Sequence, residues 1–431
     1  MPLASPAAHA GMDVKMASLE LDMRAVAPSP SGGAAPVQTV AIAATLAALV
    51  SIYLFFLVPY LQAGSGIFDA TGHAFGRDFA NIWTAGRLGV DGQTHLIYDL
   101  RLYHVVQDTY FGVDYPLHAW SYPPAFLPFV LPFGTMSYLT AFALWTVLTG
   151  GLLLLAARAW GADGWGLALL ALSPAVVINA FGGQNGALSA AILLGALYQL
   201  DRRPVLAGIL IGCMVYKPHL ALLMPVALLA AQRWRVIAVA ATTVAALILF
   251  SISIYGIEPW ITYITETAPL HAKVLQKGEG AIPLMMPGAY MAARVLGLLD
   301  YAPYIQAAFS AIAVAAVAWA WRRPDEPILR AAIFLAAVPL AVPYAFNYDL
   351  TVTTAAAMLA VIRFRGRVGW PLAVSGLAVC TLPALVLIVN TLELPLGPVI
   401  FTGFLAALLA ALNAIPRAAA HPRRAAVLQT P

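Results

Sequence analysis

The residues in this chain best placed to do chemistry are few, because almost everything around them is apolar. Lys217 stands between Tyr216 and Pro218 in a run otherwise free of charge. A charge inside such a run is costly and usually functional, and the proline breaks the helix there and frees backbone groups. An ammonium at that break suits an anionic headgroup, above all a phosphate; the plainer alternative is a lysine that snorkels to an interface. Asp78 lies in residues 76–87, just past the first long apolar segment. Phe79, Ile82 and Trp83 follow it at helical spacing. They predict a short helix lying apolar face down in the membrane interface, with the carboxylate at the boundary between water and lipid. The alternative is that Asp78 is only the N-cap of that helix. Gln184 and Asn185 follow two glycines between apolar segments; such amides either bind sugar hydroxyls or cap the next helix. Asp349, after Asn347 and Tyr348, is an N-cap or a polar group facing a headgroup cavity.

The elements that must position these groups are membrane helices. Of 431 residues, 61% are hydrophobic and 10% charged, against about 25% charged in ordinary soluble domains. The chain is predicted to be an all-α polytopic membrane protein. Residues 1–36, rich in Ala, Pro, Ser and Gly, read as a disordered cytoplasmic tail; 37–414 form the membrane domain and 415–431 a second cytoplasmic tail. Spans are expected near 37–61, 123–133, 139–157, 165–181, 187–200, 205–231, 236–255, 304–321, 328–343, 347–362, 369–389 and 396–412, about twelve with both ends cytoplasmic. That map leaves Arg202 and Arg203 outside, against the positive-inside rule. In the alternative, 205–231 is a hairpin of two half-spans and 123–133 is re-entrant.

Two polar stretches, 62–120 and 256–302, are expected outside the cytoplasm. The first holds Asp69, Asp78, Asp91, Asp99, Asp108 and Asp114 against only three arginines. Long ordered loops of this kind are usually functional. The second is expected to carry an interfacial helix near 284–299. The first-loop histidines show no metal-ligand spacing. No cofactor is implied, and a divalent metal is left open. Cys213 and Cys380 read as packed thiols. The net charge of +4 is spread among loops, which fits topology and not nucleic acid. No phosphate-loop fingerprint is present, and no internal repeat supports a transporter. A lipid or solute transporter or flippase is nonetheless the competing class.

Taken together, several motifs carry a resemblance: Gly76-Arg77-Asp78-Phe79 with Trp83, Ala85 and Tyr98; Tyr122-Pro123-Pro124 with Pro132; Gly183-Gln184-Asn185; Ala207-Gly208 through Gly212 to Lys217-Pro218; and Tyr348-Asp349. The chain resembles glycosyltransferase family 87, polyprenol-phosphate-sugar-dependent membrane enzymes of the GT-C superfamily. The resemblance implies a GT-C fold of about twelve helices in the bacterial inner membrane, with the active site facing the periplasm. It implies a polyprenyl-phosphate-linked sugar donor, mannose-like by family, a lipid or glycan acceptor, and inversion at the anomeric carbon. It makes Asp78 the catalytic base. Donor phosphate contacts are then expected from Lys217, helped by Arg77, Arg294 or His271, and substrate contacts from Tyr122, Gln184, Asn185, His219, Tyr348 and Asp349. Two departures bear on acceptor choice: Arg77 after Gly76, and the polar, glycine-rich segment 89–95.

Overall fold

A computed structural model describes residues 64–415 except Asp325, with a few isolated positions before them. The expected first span at 37–61 and both tails lie outside the described residues or touch them only at isolated positions. The described residues from 64 onward belong to one unit. Among the described residues its regular structure is all helix, with no strand. Five helices are long and apolar enough to cross a membrane: Tyr138–Ala159, Trp234–Tyr255, Leu299–Trp321, Trp370–Thr391 and Gly397–Ala414. A sixth candidate is the pair Gly164–Ala171 and Pro174–Gly182, bent by 54°. This makes the chain a polytopic membrane protein. The other apolar helices are shorter than the about 20 residues that span a bilayer core, so twelve full-length spans are not what the described residues hold.

The contacts divide the bundle into two ends. At one end Asp201 pairs with Arg233 and, at 3.3 Å, with Arg330. Glu326 takes Arg363 in a two-pronged contact at 2.7 and 2.8 Å, and Arg323 donates to Leu412 O and Asn413 Oδ1, both at 3.2 Å. The loops carrying most of the arginines therefore converge. This corrects the preferred topology. Asp201 precedes the segment expected to cross once at 205–231, and Arg233 follows it, yet the two side chains touch. The segment runs in and returns, as Pro204–Tyr216 and Pro218–Ala230, with Lys217 at its tip. Arg202 and Arg203 then fall with the other arginines.

The other end gathers the polar loops. Pro124–Gly134 is anchored there at both ends: Tyr122 O accepts from Tyr98 OH at 3.1 Å, and Met136 O accepts from Trp83 Nε1 at 3.0 Å. It packs as part of the first loop, as the re-entrant alternative requires. Tyr138 OH then donates to Phe75 O at 2.7 Å, so the next helix leaves from the same end. The second loop meets the first where Tyr98 and Tyr263 stack edge to face at 6.4 Å, and it is fastened to Trp370–Thr391 by Asn390 Nδ2, which donates to Leu284 O at 2.8 Å.

Two expected interfacial helices are overturned by burial. Phe79–Val90 does form, but Phe79, Ala80, Asn81, Ile82, Thr84, Ala85, Gly86 and Leu88 are all buried. Its small residues explain this: a Cβ on Gly86 would lie 2.5 Å from Val130 O, and one on Gly134 would lie 2.1 Å from the Gly86 carbonyl carbon. The two backbones touch, and the helix is sheathed by protein instead of lying on lipid. The segment near 284–299 is interrupted into Ala281–Leu284 and Ala289–Val295, the second largely buried. The exposed apolar stripe of that loop lies earlier, at Ile257, Ile261 and Ile264, one helical face by spacing. Both cysteines are half-buried free thiols.

Candidate active site

Asp78 is delivered by a strained turn. Gly76 and Arg77 have φ of +80° and +36°, a region that costs a non-glycine residue roughly 1–2 kcal/mol. Arg77 is held there by Asp69 at 3.2 Å and by Thr71 Oγ1 at 2.9 Å. Its guanidinium, expected on the donor phosphate, is thus engaged inside the first loop. Asp78 occupies the N-cap position of Phe79–Val90, yet its side chain makes no capping bond. The carboxylate turns elsewhere. Oδ1 lies 2.6 Å from His118 Nδ1, and Oδ2 accepts from the Gln184 amide. The Asp78 side chain is 48% exposed and that of His118 14%, so the carboxylate faces the open side with the imidazole behind it.

Gln184 reaches Asp78 because Gly183 permits it. Gly183 has φ of +57°, and a Cβ there would sit 2.3 Å from Phe79 Cβ and 2.8 Å from Gly76 O. Glycine alone fits both the left-handed turn and the close approach. The next residue, Asn185, accepts from Lys217 Nζ at 2.8 Å. Gly186 closes the same turn against the Tyr348 carbonyl, where a Cβ would lie 2.2 Å away. One four-residue turn thus touches the Asp78 loop, the Lys217 break and the Tyr348–Asp349 segment. Neither amide side chain acts as a helix cap here: Asn185 precedes Gly186–Gln199 without a capping bond.

Lys217 does not snorkel. Its side chain is 6% exposed and that of Asp349 1%, with Nζ 2.5 Å from Asp349 Oδ1. Asp349 Oδ2 accepts the Phe346 amide at 3.1 Å, so this carboxylate both closes a local turn and holds the lysine. The Tyr348 ring lies under the ammonium, 4.9 Å from its centre. Beside it, His271 from the second loop stacks on Tyr344 at 4.5 Å, and His219 meets the same ring edge-on at 6.2 Å. Burial, and then the Lys217 charge, lower the pKa of His271. It stands near Lys217 as a neutral ring and not as a second cation. Tyr122 packs on Phe126 at 5.2 Å. Burial first, then the charges of Asp349 and Asp78, push its phenol well above the ordinary range, so it stays a hydrogen-bond donor near both carboxylates.

Arg294 is not brought into this group. It donates to Val274 O at 3.3 Å, to Leu275 O at 2.9 Å and to Gly278 O. Those are carbonyls at the C-terminal end of Ala268–Lys277, so the guanidinium closes off that helix. Among the described residues of this site, four buried side-chain nitrogens lack a partner: His118 Nε2, Asn185 Nδ2, His219 Nε2 and His271 Nε2. Unpaired polar atoms inside a protein are uncommon and call for an explanation, and three of these four surround Lys217. Among the described residues no group of three or more His, Cys, Asp or Glu is arranged to hold a metal.

The profile of glycosyltransferase family 87 matches residues 120–343, just over half the chain. The chain belongs to glycosyltransferase family 87. No curated protein and no solved structure matches it. As a family 87 member the chain is a membrane glycosyltransferase, a protein that uses a sugar donor and an acceptor, and the transporter alternative falls away. The matched stretch contains Tyr122, Gln184, Asn185, Lys217, His219, His271 and Arg294. Asp78, His118, Tyr348 and Asp349 lie outside it and join the family segment only through folding. His118 is the site neighbour that sequence reasoning did not single out. Its signal would have been its place two residues before Trp120-Ser121-Tyr122, but 40 positions separate it from Asp78.

Proposed function

We propose that this family 87 chain transfers a hexose, mannose by family expectation, from a polyprenyl-phosphate donor to a lipid or glycan hydroxyl. Asp78 acts as general base and Lys217 receives the leaving phosphate. The observation that carries the proposal is the turn at 183–186, which sets a solvent-facing carboxylate and a buried ammonium on successive side chains. Displacement at an anomeric carbon bonded to phosphate needs those two groups and little else. The acceptor O–H bond breaks and its proton goes to Asp78. The acceptor oxygen bonds to the anomeric carbon while the bond from that carbon to the phosphate oxygen breaks. The electron pair leaves with the polyprenyl phosphate, and attack opposite the leaving group inverts the centre. A single carboxylate suffices, and no glycosyl-enzyme forms.

The charge around Lys217 supports a monophosphate donor. Asp349 already balances the ammonium, and His271 is neutral. A site with so little net positive charge suits one phosphodiester charge better than a pyrophosphate. The unpartnered Nε2 atoms of His219 and His271 and the Asn185 amide can donate to the phosphate oxygens. Tyr122 and Tyr348 stand near both Asp78 and Asp349 and suit the sugar. The convergence of arginine loops at the far end supports a cytoplasmic placement for that end, and so a periplasmic site in a bacterial inner membrane.

The test is to incubate the purified protein with a panel of polyprenyl-phosphate sugars and total membrane lipid. A product heavier by one hexose, with polyprenyl phosphate released in equal amount, is expected. Transfer from a nucleotide sugar alone, or none from any lipid monophosphate sugar, would overturn the donor assignment.

A further inference from the structure

His118 has no task in the reaction as just written, yet the first loop is built around it. The stretch carrying it has no regular secondary structure. Its backbone is nonetheless clamped on both sides of the ring. Gln107, fully buried, donates from Nε2 to His118 O at 2.9 Å and accepts the His118 amide on Oε1 at 3.0 Å. Asn81 Nδ2 donates to the next carbonyl, Ala119 O, at 3.0 Å. Asn81 is fixed in turn by Tyr103, whose hydroxyl donates to its carbonyl and its side-chain oxygen at 2.8 Å each. Two buried polar side chains spent on two loop residues is a costly arrangement unless the ring they aim has work to do.

The ring they aim meets Asp78. An ionised carboxylate can only accept hydrogen bonds, so at 2.6 Å from Oδ1 the Nδ1 atom carries the proton. Nε2 is buried and without a hydrogen-bond partner, so the ring meets the open side only through Asp78. The half-exposed group of the pair is the carboxylate. This order, carboxylate forward and imidazole behind, is the reverse of the hydrolase arrangement in which a carboxylate orients a histidine base.

Resting on the reading of Asp78 as the base, we propose that His118 is its positioning residue. The Nδ1–H of His118 fixes Oδ1 from behind while the Gln184 amide fixes Oδ2 from the side, so that a free lone pair stays aimed at the acceptor hydroxyl. The residue acts through Asp78 and touches neither sugar nor acceptor. Its loss misaligns the base after the substrates have bound. The effect belongs in kcat and not in KM, with a misplaced catalytic group costing about 10- to 100-fold.

The experiment compares wild type, His118→Ala and His118→Asn, the last keeping a side-chain N–H that can donate. Transfer kinetics are measured with undecaprenyl-phosphate mannose and total membrane lipid, and thermal midpoints on the same preparations. In parallel, the infrared difference spectrum between each protein and its Asp78→Asn derivative isolates the Asp78 carboxylate stretch. Expected are a kcat lowered about 10- to 100-fold in His118→Ala, an unchanged KM for the donor, substantial rescue in His118→Asn, and a shifted Asp78 band in the alanine variant only. An unchanged kcat and band in His118→Ala overturns the proposal. So does equal inactivity of both variants, which would give the ring itself the proton or a purely structural role. If wild type transfers nothing, the base assignment fails with the proposed function. The His118–Asp78 pairing is then judged by the infrared band alone: a band that does not move overturns it.

Discussion

The Lys217 ammonium stands 2.5 Å from Asp349 Oδ1, with both side chains almost sealed from solvent. A buried pair of this kind adds little over an apolar substitute, but removing one partner leaves an uncompensated charge and costs about 3–5 kcal/mol. Lys217→Ala is therefore expected to lower the thermal midpoint as well as donor binding, and Asp349→Ala to do the same. The double variant Lys217→Met with Asp349→Leu should recover most of the stability and none of the transfer. Differential scanning of the three proteins in detergent checks this. A double variant less stable than both singles would show that the pair itself holds the bundle together.

Asp78→Asn should reduce sugar transfer by about 100-fold or more, the scale for losing a general base. Asp78→Ala should cost the fold far less than an ordinary capping residue, whose loss removes about 1 kcal/mol, because this side chain makes no capping bond. Transfer rate and thermal midpoint measured together separate the two roles. Near-normal transfer by Asp78→Asn would move the base elsewhere.

Gly183→Ala should lose transfer almost completely. The added Cβ falls 2.3 Å from Phe79 Cβ at a φ of +57°, so the turn must shift and carry Gln184 and Asn185 with it. Gly150, with open space where its Cβ would go, lies within Tyr138–Ala159. There the same substitution should be neutral or stabilising by up to about 1 kcal/mol. Thermal midpoints and transfer rates of the two variants give the contrast.

The first loop should be acid-labile. Burial alone would raise the Asp69 carboxyl, but bonds from the Thr71 hydroxyl, from the Thr71 and His73 amides and the Arg77 charge outweigh it and hold the group below its ordinary value. A depressed carboxylate contributes stability that is present above its unfolded value, about pH 4, and is lost as pH falls through the folded one. Thr71→Val should raise the pH at which protection of residues 64–77 is lost in hydrogen exchange. A midpoint that does not move would mean that the two amides and Arg77 hold the carboxylate without the hydroxyl.

Topology is testable by labelling. In a protein with Cys213 and Cys380 replaced, single cysteines at Arg202 and Arg235 should react from the same side of the membrane, and one at His95 from the other. Reaction of 202 and 235 from opposite sides would restore the single crossing of 205–231.

The sequence made the membrane class plain because hydropathy sums over side chains and needs no geometry. It also exposed Asp78 and Lys217, since a charge in or beside an apolar run has few innocent explanations. It did not show what they pair with. Asp349 is 132 positions from Lys217 and His118 is 40 from Asp78; no local period reports such partners. The same blindness misplaced the crossing at 205–231. Two helices of about thirteen residues, head to tail, have the hydropathy of one long span, and only Asp201 meeting Arg233 and Arg330 shows that the chain turned back. The interfacial reading of Phe79–Val90 failed because an amphipathic stripe says which face is buried but not whether lipid or protein buries it. Gly86 against Gly134 decided that.

The turn at 183–186 has a consequence for how such a chain diversifies. Because the fingers that hold the carboxylate and the ammonium grow from neighbouring residues, a single peptide unit works as a caliper of fixed opening. Neither jaw can be reset without moving the other, so new sugars and new acceptors are not admitted by adjusting it. They must be chosen by walls that are not fastened to the caliper, among them the second-loop helix that carries His271. Exchanging those walls between related chains should move substrate preference while the caliper and its chemistry stay as they are.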